Sequence, residues 1–87
     1  MSSIQDLGMI LSVYTEAFTK AAQKNDLEYD DAVRLLNTCG ADPVSITGEY
    51  LISSQGFDEA VEGLAERIGQ MKEAITTAKN IMEERDA

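Results

Sequence analysis

The sequence predicts an all-α fold, a small helical bundle in which long N- and C-terminal helices flank two short ones. Three observations carry this reading. From Phe57 to Arg85 the apolar residues Phe57, Val61, Leu64, Ile68, Met71, Ile75, Ala78 and Met82 recur alternately four and three apart, an unbroken heptad run. Near the start, Ile4, Leu7, Leu11, Tyr14, Phe18 and Ala21 step the same way. Between these runs, Gly40, Asp42-Pro43 and Gly56 divide the chain into two short segments.

Taken in order, Ser3 with Asp6 three residues later forms a capping-box-like start, which predicts a helix over 3–24. Met9, Ile10, Val13, Ala17 and Ala22 flank its seam, so the middle of this helix is apolar over much of its circumference. Such a helix is usually buried against more than one neighbour. Asn25-Asp26 breaks the pattern. A second helix is expected over 28–39, with Tyr29, Ala32, Val33, Leu36 and Cys39 inward and Gly40 as its left-handed terminator.

The next segment forks. Val44 to Ile52 reads as a β-hairpin with Gly48-Glu49 as a type II′ turn. Alternatively, residues 44–54 form a short helix, with Pro43 at its first position and Gly56 stopping it. The helix is adopted because Ile46, Tyr50 and Leu51 share a helical face, although Gly48 weakens it.

The last helix is expected over 57–85. At 1.5 Å per residue it reaches about 43 Å, whereas a compact chain of this size is only about 30 Å across. Part of its seam must therefore be covered by another long helix, a second copy or a partner. With Val61, Ile68, Ile75 and Met82 at heptad position a, Arg67 falls at g and Lys72 and Lys79 at e. A parallel homodimer sets Arg67 beside the other chain's Lys72, which is repulsive. Antiparallel packing against the N-terminal helix, within or between chains, avoids that clash.

At 87 residues the chain makes one domain, 1–87, small enough that its core alone is marginal. Sixteen acidic residues against seven basic ones give a net charge of −9. That balance is wrong for gripping phosphate backbones. A lone cysteine, Cys39, allows no internal disulfide and suits a reducing cytoplasm. The N-terminus lacks the basic region and cleavage site of a secretory signal, and the longest apolar run, Met9-Ile10-Leu11, cannot span a bilayer. No cofactor and no membrane partner are expected.

Catalysis has little to draw on. There is no histidine, hence no His-based triad and no imidazole metal site. Cys39 at an apolar helix end reads as a small buried hydrophobe. Asp26, Glu28, Asp30 and Asp31 do not fit a calcium loop, which wants glycine at 31 and glutamate at 37; they complement a helix dipole instead. Leu36, Gly40 and Ile46 approach helix-turn-helix spacing, but the would-be reading helix carries Glu49 and no basic residue.

Between Ala32 and Ile68, Leu35-Leu36, Gly40, Asp42, Tyr50, then Phe57-Asp58-Glu59-Ala60-Val61-Glu62 and Leu64, follow a recognisable order. This segment resembles the three-helix modules of the ubiquitin-associated (UBA-like) type, and the Gly40-Ala41 step is similar to the N-terminal module of translation elongation factor Ts. The resemblance implies a compact three-helix unit over 32–68. Ubiquitin-binding members present an aromatic in a Met-Gly-Phe or Met-Gly-Tyr loop, and the loop here is Cys39-Gly40-Ala41, so ubiquitin binding is not implied.

The function expected is non-catalytic protein–protein interaction, as a self-associating adaptor, assembly factor or inhibitor subunit. Its interface would comprise Leu11, Tyr14, Phe18, Ile68, Met71, Ile75, Ala78 and Met82. The alternative is an acidic inhibitor that mimics nucleic acid through the stripe Glu59, Glu62, Glu66 and Glu73.

Overall fold

The structure, a computed structural model, describes the backbone of residues 4–86 and the side chains of residues 10–85. The capping pair expected at Ser3 and Asp6 lies outside the residues so described. Four helices follow in order: α1 (Ile4–Gln23), α2 (Tyr29–Thr38), α3 (Pro43–Ser53) and α4 (Phe57–Asp86). The all-α expectation holds, and the fork at 44–54 resolves as helix.

Local chemistry explains each boundary. α1 closes in a Schellman turn: the Leu27 N–H donates to the Ala22 carbonyl and the Asp26 N–H to that of Gln23. Asp26 occupies the left-handed position at φ 57°. α2 ends in the same motif, with Ala41 donating to Leu36 and Gly40 to Asn37, and here a glycine takes the left-handed place at φ 75°. L-residues pay for that conformation and glycine does not. Replacing Asp26 with Gly is expected to raise stability by about 0.5–1 kcal/mol, read as a higher urea midpoint at unchanged slope.

α3 starts at Pro43 because Asp42 caps it, its carboxylate accepting from the Ser45 N–H at 2.9 Å and the Ser45 hydroxyl at 2.7 Å. Those two bonds hold the Asp42 carboxyl below the usual carboxylate range, the hydroxyl contributing most. At the start of α4, Glu59 reaches back to accept the Gln55 N–H at 2.7 Å. That contact terminates the α3–α4 connection.

The core gathers where all four helices meet. Ala17, Phe18, Ala21 and Ala22 of α1 pack with Ala32 and Leu36 of α2 and with Val61, Leu64, Ala65 and Ile68 of α4. Alanines on α1 let the helices approach closely. Tyr50 of α3 packs closely against Gly63, where an added Cβ would sit 2.9 Å from two ring carbons. Phe18 meets Tyr29 edge to face, with ring centroids 5.4 Å apart.

α1 and α4 run in the same sense where they touch, so antiparallel packing of the two is not made within the chain. Lys20 sits over the Phe57 ring, Lys24 pairs with Glu62, and the Asn25 side chain donates to the Ala65 carbonyl at 2.9 Å. Lys72 then reaches the Asn25 carbonyl. Each step forward along α1 is a step forward along α4. The reason lies in the turns: α2 and α3 reverse the chain and bring the start of α4 back beside the end of α1. The end of α1 and the turn after it meet α4 over Ala17–Asn25 and Phe57–Lys72, and each helix continues past this junction at its own end. The result is a rod of 59 × 23 × 19 Å, not a globe 30 Å across.

Candidate interaction surfaces

Two apolar regions lie at opposite ends of this rod. The first is a groove of about 320 Å³ between α1 and the N-terminal turns of α2 and α3. Ile10, Leu11, Tyr14 and Phe18 form one wall, and Tyr29, Pro43 and Val44 the other. α1 supplies its wall because its seam residues recur on one face, and α3 supplies Pro43 and Val44 because Asp42 fixes where that helix begins. Tyr14 crosses to α3, where a Cβ at Gly48 would stand 2.7 Å from its hydroxyl oxygen; the glycine makes room for the ring. Thr47 lies at the groove floor, its hydroxyl buried without a hydrogen-bond partner among the described residues. Leu11 and Val44 are about as exposed as surface residues, at 62% and 61%.

The second region is the far half of α4. Its seam is covered through Ile68 and then emerges: Met71 and Ile75 are half-buried, Ala78 is exposed, and Met82 is 64% exposed. Ile81 lies beside the seam and is also exposed. Beyond Ile75 every described side chain faces solvent.

The structure therefore splits the expected interface. Leu11, Ala78 and Met82 are open to a partner, and Tyr14, Met71 and Ile75 partly so. Phe18 and Ile68 are not, with 3% and 0% of their surfaces exposed; both belong to the core because they lie inside the short α1–α4 overlap. The broad burial expected for the middle of α1 is also corrected. Ile10 and Val13 stay exposed because α4 starts beside Lys20 and runs away from them.

Cys39 is exposed, not buried as expected. The reversal at Gly40 turns the chain at once, so Ala41 packs against the core in its place. Val44, Tyr29 and Thr47 were not singled out as site residues. No spacing rule links them to α1, since only the path of the α2–α3 reversal brings them there.

Glu59, Glu62, Glu66 and Glu73 are all exposed along α4. Two already have local partners, Glu59 at the Gln55 N–H and Glu62 at Lys24, 3.0 Å away. The ion pairs of Lys20 with Glu16 and Arg34 with Asp31 are also solvent-exposed and contribute little to stability. Among the described residues no three acidic or cysteine side chains gather to hold a metal ion, and no helix is long and apolar enough to cross a membrane. Comparison of the chain with protein-family models, with curated proteins and with solved structures gave no significant match.

Proposed function

We propose that this protein is a non-catalytic protein–protein interaction module, a small self-associating adaptor, assembly factor or inhibitor subunit that works in the cytoplasm. One observation carries the reading: the apolar seam of α4 outlasts the body that covers it and continues, exposed, through Ala78 and Met82. A helix end of this kind gains little from standing alone in water. Contiguous apolar surface left open on a small chain marks a place for a partner. The driving force is burial of that seam, at about 25 cal/mol per Å² before the entropic cost of association.

Sedimentation equilibrium of the purified chain at low and high salt tests this. The expected result is a defined oligomer that survives high salt, and Ile75→Asp shifts it towards monomer. A chain that stays monomeric at all concentrations overturns self-association. A partner whose binding collapses between low and moderate salt would favour the acidic mimic instead.

A further inference from the structure

The shared core is built without α3. Its buried apolar residues come from α1, α2 and α4, and α3 only lays Ile46, Tyr50 and Leu51, each half-buried, against it. The residues that α3 itself buries are Thr47 and Gly48, one carrying a hydroxyl and the other no side chain. Val44 and Ile52 face water.

The polar ties between helices also pass α3 by. The end of α1 and the turn after it are joined to α4 by Lys24 to Glu62, by Asn25 to the Ala65 carbonyl and by Lys72 to the Asn25 carbonyl. Among the described residues no hydrogen bond or ion pair joins an α3 side chain to another helix. The Ser45 hydroxyl bonds to Asp42, within the helix's own cap. What holds α3 in place is apolar packing, closest where Tyr50 meets Gly63 of α4 and where Tyr14 of α1 meets Gly48.

Once off this bed, α3 has little reason to stay helical. It is 11 residues long with a glycine near its middle, and isolated helices under roughly 12–15 residues are marginal in water. Detachment and melting are therefore one event, with residues 39–42 and 54–56 as the tethers.

We propose that α3 is a detachable flap: it opens and melts as a unit while α1, α2 and α4 stay packed, and so uncovers the apolar face beneath Tyr50 and Leu51. Folded chains open in such cooperative segments at a lower cost than global unfolding. The flap does not depend on the self-association reading, since every contact it breaks lies within one chain.

Amide hydrogen exchange of the full native chain, followed by NMR, tests this. Corrected for intrinsic rates, the Tyr50 and Leu51 amides of α3 are expected to exchange at least tenfold faster than those of Ala65 and Ile68 in α4. Low urea should speed the α3 amides less steeply, because opening the flap exposes less surface than unfolding the chain. Ala21 lies at the Asn25 junction with α4, so Ala21→Gly weakens the closed and the open form alike. It should speed the Ala65 and Ile68 amides about fivefold and leave those of Tyr50 and Leu51 unchanged. Tyr50→Ala should speed the α3 amides at least tenfold. Equal protection of α3 and α4 overturns the flap. So does an Ala21→Gly variant in which both sets accelerate by one factor, or a Tyr50→Ala variant in which α3 exchange does not change.

Discussion

Replacing Ile68 with Ala lowers the stability of the monomer by about 2–5 kcal/mol. Ile68 is fully buried in the cluster that includes Ala21, Leu36 and Leu64. Truncation removes its transfer energy and leaves a cavity that close-packed helices only partly refill. A chain this short sits at the low end of the usual 5–15 kcal/mol of stability, so the loss is a large share of the total. The melting midpoint should fall by roughly 10–30 °C. Seven residues on, Ile75→Ala occupies the same heptad position but is half-exposed, and should cost about 1 kcal/mol or less. Thermal melts of the two variants check the contrast. Similar losses would mean that the seam is covered beyond Ile68.

Deleting residues 77–87 is expected to abolish self-association while leaving monomer stability within about 1 kcal/mol of the full chain. Every described side chain in that stretch is exposed and none joins the core cluster. The comparison requires a concentration at which the full chain is monomeric, because association itself stabilises by mass action. The stretch only extends a helix nucleated in the body, with no tertiary packing of its own to hold it. Its amides should therefore exchange quickly in the monomer and slow down on association. Hydrogen exchange across a dilution series measures this. A truncated chain that unfolds several kcal/mol more easily would show that the tail supports the body.

Much of the fold was legible in the residues themselves. The heptad run of α4 and the three-four steps of α1 identified both long helices, because a 3.6-residue period leaves a stripe that nothing else produces. Gly40 and Asp42-Pro43 located the ends of α2 and the start of α3, since left-handed backbone and proline's fixed φ act within a residue or two. Even the excess length of α4 followed from arithmetic on rise per residue. At 44–54 the Asp42 cap and Pro43 favour helix locally, while a tertiary contact completes it: Tyr14 of α1 fills the space that Gly48 leaves.

What periodicity could not say is which part of each stripe is covered. Phe18 and Leu11 occupy equivalent positions on one seam, as do Ile68 and Ile75 on another, yet the first pair differ by 3% against 62% exposure. That difference depends on the direction in which α4 passes α1, which is set by two turns and by the bonds that Asn25 makes to Ala21 and Ala65 across the junction. Contacts over forty residues of sequence leave no local signature. The same holds for the groove, whose walls come from three helices, and for Thr47 at its floor. The sequence by itself determined the helices, their ends and the existence of an uncovered seam, because those follow from forces acting within a few residues. Only the tertiary structure decided that the uncovered parts fall at opposite ends of a rod, because chain reversal is a long-range property.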